Sequence, residues 1–425
     1  MIVNRPLTPA EQRISQRNCL IYNLINGFSY MCLGETVLIL FATNLGCSDV
    51  VIAILGSMIY LGFLLLPLGK MMTARSGAAN SQANFWVLRN IAALIVAAAA
   101  PAAICCSQTL ATILLLVGAF LFYGFRAAGV VMSQPLIGEI SSKEEQGGFI
   151  FRNWFYFYFS GVTALILICL LRKIDTGIWT LFGIVVTGTL FGLASSSFVR
   201  RIRESGEIRD IAKRPVLPVF RQCFKQRDIV NLLLAGMSCN TLSIMVISIS
   251  LLTLKRGHGY SDFAALLYSL AQLGATIVIC RVLGKKADAI GSKRIVLSGF
   301  YGTLLISFFW LFAPQGINPG FLIIPFLLSP AGGVVTASGL AHYFLQTVEK
   351  EQQIAASMLI SVVTGAISGC LGSFLSSLLL KLAFFCSGGE GLSVYRWYFA
   401  GVLICSPGLA FFVHRLDLKN GTAAK

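Results

Sequence analysis

Twelve separate stretches of this chain, each about twenty residues long and nearly free of charge, decide what it can fold into. They run roughly 19–44, 50–69, 83–104, 110–134, 149–171, 176–198, 229–253, 263–283, 294–313, 320–344, 355–379 and 394–414. A run of about 20 apolar residues spans the hydrocarbon of a bilayer as a helix. No backbone N–H or C=O can be left open in lipid, so each such run must be helical. Composition agrees: only 12% of the 425 residues are charged, against about 25% in a soluble globular domain. The sequence therefore predicts an all-α integral membrane protein of twelve transmembrane helices. The polar first eighteen residues lead into a full-length apolar run, so no cleaved signal peptide is expected.

The net charge of +16 does not mark a nucleic-acid binder, because the basic residues sit at helix ends and in loops rather than on one face. Their distribution sets an orientation instead. With the N-terminus inside, the inner segments carry Arg5, Arg13, Arg17, Lys70, Arg75, Lys143, Lys285, Lys286, Lys293, Arg294, Lys350, Arg415, Lys419 and Lys425. The outer side holds only Arg172, Lys173, Lys255, Arg256 and Lys381, with Arg396 at a span edge. Both termini are expected in the cytoplasm and the chain in the plasma (inner) membrane.

The longest inter-span segment, 199–228, divides the chain into an N-terminal half, 1–198, and a C-terminal half, 229–425, of six spans each. Its charges mix signs at helical spacing, which predicts a short surface helix before Pro215. Its expected role is a tether and an inside-positive anchor, with lipid-headgroup contact as an extra. The twelve cysteines form no CxxC pair and have no zinc spacing, so they read as small apolar filler. Cys47, Cys105, Cys106 and Cys386 share the predicted outer side, where one disulfide stays open. No metal site and no cofactor are expected.

The loops that follow the second span of each half are related. The one after the eighth span reads Gly284-Lys285-Lys286-Ala287-Asp288-Ala289-Ile290-Gly291-Ser292-Lys293-Arg294. Its glycines suit a tight turn. Its acid is suited to accept backbone N–H groups at a neighbouring helix start. This loop resembles the signature loop of the major facilitator superfamily. The corresponding stretch of the first half, Gly69 to Gly77, keeps the first glycine, has Thr73 at the acid position and displaces the second glycine by one. The fourth span, with Arg126 in FYGFRAAG, and the stretch from Pro135 to Gly148 also resemble that family. The proline–glycine signature of many antiporters is missing from the fifth span, FYFYFSGVTALILICLL, which argues against drug–proton antiport. The resemblance implies two pseudo-symmetric six-helix halves that rock about a central site. It also makes Gly284, Asp288, Gly291, Lys293 and Arg294 an inner-gate loop. By pseudo-symmetry, Asp288 is expected to meet Arg152.

Ionisable groups inside a membrane are costly and mark functional sites by default. Of seventeen acids, only Glu35 falls within a span. It is the candidate proton or cation carrier, against the alternative of a structural partner for a buried arginine. Asn23, Asn26 and Tyr30 share one face of the first span, and Glu35 falls nearly opposite Asn26 unless the helix unwinds at Gly34. Arg126 is a candidate for an anionic substrate or a proton relay, with a structural role anchoring the inner gate against Glu139 or a helix C-terminus slightly preferred. Arg89 and Arg152 are expected to snorkel. Asn231 and Asn240 in the seventh span and Gln272 in the eighth complete the polar candidates, although such groups are more often helix-packing hydrogen bonds. His342 is expected near the interface.

The expected function is secondary active transport of a small solute, with a proton as the coupling ion and the protein a monomer. No GxxxxGK[ST] loop is present, which argues against direct use of ATP. A membrane-embedded enzyme would need paired acids or metal-ligand motifs that the sequence lacks. The alternative is a sensor or partner-binding protein that kept the transporter fold.

Overall fold

The structure is a computed structural model that describes residues 2–3, 5–260, 262–388 and 391–416. Lys419 and Lys425, counted above among the inner charges, lie outside the described residues. The protein is an all-helical bundle of twelve spans in two halves. Among the described residues, eleven helices are long and apolar enough to cross a membrane. The remaining span, Asp49–Ser76, is three pieces: an α-helix to Leu61, a 3₁₀ stretch Gly62–Leu65 and an α-helix from Leu66. Large apolar side chains face outward, including Phe385 at 87% and Ile404 at 78% exposure. In water, so much exposed apolar surface would drive association; against lipid it costs nothing.

The chain groups into two compact units, one of residues 1–142 and 153–216, the other of residues 143–152 and 217–425. Each has its own apolar core. In the first, Phe41, Leu115, Phe122 and Leu181 are almost wholly enclosed. In the second, Leu242, Phe300, Trp310 and Phe399 play that part. Within the first unit helices meet at very short range. A Cβ on Gly69 would stand 2.1 Å from the Ala128 carbonyl oxygen, so this glycine serves close helix packing rather than a turn.

Several spans are interrupted, and the interruptions carry the polar groups. The first span runs as Pro9–Leu33 and then Glu35–Asn44, with Gly34 extended at φ −69°, ψ 170° between them. The unwinding that Glu35 required thus occurs at Gly34. The side chain of Glu35 itself lies outside the described residues. The eleventh span contains a π-helical stretch, Ser361–Ile367, of a kind often found at functional sites.

The segment after the sixth span is no plain tether. The expected short helix is present, Glu207–Ala212, and the residues before it dock on the first unit. Ile2–Val3 pairs in parallel with Glu204–Ser205. Glu11 closes a capping box with Thr8 and binds Arg5 at 2.8 Å and Arg203 at 2.9 Å. Lys70 Nζ donates to the Arg214 carbonyl at 2.6 Å. These contacts use the segment's backbone at Glu204–Ser205 and Arg214 and the side chain of Arg203. All twelve cysteines are free thiols.

Candidate functional site

In the first unit, side chains of the third, fourth and fifth spans each meet a different polar residue of the first span. Arg89, the twelfth residue of the helix Ala78–Ala97, is fully buried. This corrects the expectation that it snorkels: its place mid-helix leaves no route to the interface. Its Nη2 donates to Asn26 Oδ1 at 3.1 Å and to Ser29 Oγ at 3.4 Å. Its guanidinium lies 4.8 Å from the ring centre of Trp86 and 5.5 Å from that of Phe122. Trp86 Nε1 also donates to Asn26 Oδ1, at 3.0 Å. Among the described residues, Arg89 Nε and Nη1 have no hydrogen-bond partner, and neither atom is exposed.

One helical turn further along the first span, Tyr30 lies beneath Arg126, whose guanidinium is 4.9 Å from the ring centre. Glu139 accepts from the backbone N–H of Ser205, while the contact shown for Arg126 is with the Tyr30 ring. Asn23 donates to Asn153 Oδ1 at 2.7 Å and to the Cys19 carbonyl at 3.0 Å. The first-span face read from the sequence is thus real, but its residues diverge. Asn26 serves the third span, Tyr30 the fourth, and Asn23 the fifth. Arg89, Trp86 and Asn153 were missed. For Arg89 the signal was present, since an arginine at the seventh position of the 83–104 span is an intramembrane charge.

The candidates of the second unit do not gather. Asn231 donates to the Arg415 carbonyl at 2.9 Å, at the end of the twelfth span. Asn240 donates to the Thr364 carbonyl in the π-helical stretch of the eleventh span. Gln272 is half-buried on the eighth span. These are mainly the helix-packing bonds that polar groups make in membranes.

The signature loop of the second unit forms a tight polar cluster. The eighth span ends at Gly284, residues Ala287–Ile290 make one helical turn, and Gly291 at φ +86° opens the ninth span, Ser292–Phe312. Asp288 accepts from the backbone N–H groups of Gly147 at 2.7 Å and Gly148 at 2.9 Å. These residues begin the helix Gln146–Ile174, whose N-terminus favours an anion. The expected contact with Arg152 is replaced by this one. Arg152 is exposed and lies over the Phe149 ring at 5.7 Å. A Cβ on Gly147 would meet Asp288 and His342 atoms at 2.8 Å, and one on Gly148 the Gly284 carbonyl at 2.8 Å. His342 is buried near the end of its helix, Val334–Thr347, with Nε2 3.6 Å from Asp288 Oδ1 and 2.9 Å from Gln346 Nε2. Ser292 Oγ continues the chain to Gln346 Oε1 at 2.7 Å. Lys293 and Arg294 follow on the ninth span, where Lys293 is half-buried and Arg294 exposed.

In the first unit the equivalent acid comes from elsewhere. Thr73, at the acid position, is buried within the helix Leu66–Ser76 and donates to the Gly69 carbonyl at 2.8 Å. Gly77, at φ +84°, opens the third span as Gly291 opens the ninth. There Glu204, fully buried, accepts from Ala78 N–H at 2.7 Å and Ala79 N–H at 3.1 Å. Burial pushes the Glu204 carboxyl up to about 7, with the two N–H bonds acting the other way.

This architecture is that of a membrane transporter, and comparison with known proteins gives the family. The family model of the Major Facilitator Superfamily matches residues 19–373. The chain belongs to that superfamily. Among solved structures, the fucose:proton symporter FucP of E. coli is similar at a TM-score of 0.69 and 11% identity, covering 96% of this chain and 98% of that one. The proton:xylose symporter XylE gives 0.68 at 13%, covering 95% and 96%. A bacterial homologue of the iron transporter ferroportin gives 0.67 at 15%, covering 94% and 99%. No curated protein matches the chain by sequence.

Proposed function

We propose that this transporter is secondary active and moves a small solute by alternating access, with protons as the coupling ion. The observation that carries this reading is the break of the first span at Gly34, immediately before Glu35, the sole acid within the spans. Discontinuous helices with a charged residue at the break are how secondary transporters build solute and ion sites. One carboxylate suffices to take up and release a proton, whereas sodium needs several oxygen ligands. The proton symporters FucP and XylE share the fold and support the reading. The excess of Lys and Arg on one side supports a plasma-membrane protein with both termini in the cytoplasm.

The test uses the full chain in liposomes loaded with a pH-sensitive dye. L-fucose, D-xylose, succinate, lactate and phosphate are each added under an imposed pH gradient. The expected result is solute-dependent proton movement with at least one of them. Glu35→Gln should abolish gradient-driven accumulation while leaving solute exchange across the membrane. Accumulation that is unchanged in Glu35→Gln would remove the proton-coupling role. Binding of a solute with no flux of it would favour the sensor alternative.

A further inference from the structure

We propose that the first unit holds an anion site, built on Arg89 and Arg126, that takes the oxyanion of the transported solute. The proposal rests on the transporter reading and names the class of solute. It begins with an imbalance. Two guanidinium groups, Arg89 and Arg126, lie within the spans of the first unit, where Glu35 is the single acid. Even a full ion pair with Glu35 leaves one positive charge uncompensated in a medium that tolerates none cheaply.

The geometry places the imbalance at one spot. Asn26 and Tyr30, four residues apart on the first span, hold Arg89 and Arg126 respectively. Phe122 and Arg126, four apart on the fourth span, repeat the pattern: the ring lies under Arg89 and the next turn bears the second guanidinium. Side chains so spaced are neighbours, about 5–6 Å apart at Cβ, so the groups that hold the two arginines lie one turn apart on each of two spans. Two like charges are thus held on partners one helical turn apart, each on an aromatic face. Asn26 and Ser29 occupy only Nη2 of Arg89. Its Nε and Nη1 are enclosed and unbonded, which is unfavourable for charged donors away from water. Arg126 is half-buried and forms the open end of the pair. A purely structural role would be served better by an apolar side chain of the same length, since replacing buried charges in this way is often stabilising. An oxyanion satisfies the orphaned donors and removes the repulsion at once.

The experiment measures melting temperature and affinity of the full-length protein in nanodiscs. The probes are sodium succinate, sodium lactate, potassium phosphate and glucose 6-phosphate, with D-xylose and choline as neutral and cationic controls. At least one anion should raise the melting temperature saturably, by several degrees. Arg126→Gln should weaken its affinity by about ten-fold or more, as loss of a charge-assisted hydrogen bond does. Arg126→Lys should recover part of the loss. Arg89→Met should lose the anion effect while the unliganded protein melts no lower than wild type, which separates loss of the site from loss of the fold. The proposal is overturned if none of the anions stabilises. It is equally overturned if xylose or choline stabilises more than any anion, or if both variants bind the anion as wild type does. Anion binding with this pattern but no flux would sink the transporter reading and keep the site. Xylose flux at wild-type rate in both variants would sink the site and keep the transporter.

Discussion

The two loops that follow the second span of each half make the same turn and differ in where their negative charge comes from. Gly77 and Gly291 have nearly the same positive φ, and each opens the following span. In the second unit the acid belongs to the loop, as Asp288, and binds the first N–H groups of the helix that starts at Gln146. In the first unit the loop carries Thr73, whose hydroxyl is used up inside its own helix. The acid is supplied by Glu204, from the segment after the sixth span, and it caps the third span. The lesson is physical rather than positional. A helix N-terminus needs an acceptor, and the chain can deliver one from any segment that reaches it. The cost of delivery differs too. Asp288 keeps part of its side chain in solvent, at 29% exposure, while Glu204 is fully enclosed.

The strongest way to break this comparison is to give the first loop the acid it lacks. Thr73→Asp would bury a carboxylate against the Gly69 carbonyl, where Lys70, one turn away on the same helix, already donates to the Arg214 carbonyl. We expect a loss of about 3–5 kcal/mol, the range for an uncompensated buried charge, read as a lower melting temperature. A variant as stable as wild type would show the two loops to be interchangeable. Next in size is Asp288→Ala, which strands two backbone N–H groups at the start of Gln146–Ile174. We expect about 2–3 kcal/mol, with faster hydrogen exchange at Gly147 and Gly148. Unchanged exchange there would mean that water replaces the carboxylate without cost.

The third effect is a pH dependence confined to the first unit. The folded Glu204 carboxyl, near 7, stands above its ordinary value of 4.5. Between those values the folded state holds the proton that the unfolded state has released. The contribution of the protonated carboxyl is therefore fully present below about 4.5 and is lost as pH rises through about 7. Exchange of the Ala78 and Ala79 amides, corrected for its intrinsic pH dependence, should quicken from pH 5 to pH 8. Glu204→Gln should flatten that profile, and the amides at Gly147 and Gly148 should not follow it. A wild-type profile as flat as that of the variant would mean that Glu204 keeps an ordinary carboxylate pKa.

Much of this was legible in the sequence because it depends on local pattern. Apolar run length gives the spans, and the glycine–acid–glycine spacing at Gly284, Asp288 and Gly291 gives the loop. The capacity of Asp288 to cap a neighbouring helix also followed from chemistry alone. Its partner did not, because Gly147 and Gly148 look like a turn in sequence and become a docking point only when the eighth span approaches them. Arg89 shows the reverse case. Its position in the third span was visible, but the difference between snorkelling and full burial depends on Trp86, Phe122 and Asn26 closing around it, three residues on three helices.

By itself the sequence determined that this chain must be helical, must cross a membrane many times and carries very few charges inside it. Those conclusions follow from the cost of exposing backbone or charge to lipid, which every conformation meets. Only the tertiary structure decided which of those charges stand together. It set Arg89 on Asn26 and Arg126 on Tyr30, one turn apart on the first span, sent Glu204 to the head of the third, and broke the first helix at Gly34 rather than elsewhere. Those outcomes depend on contacts between segments far apart in the chain, where shape and hydrogen-bond geometry select one pairing among many that local sequence permits equally.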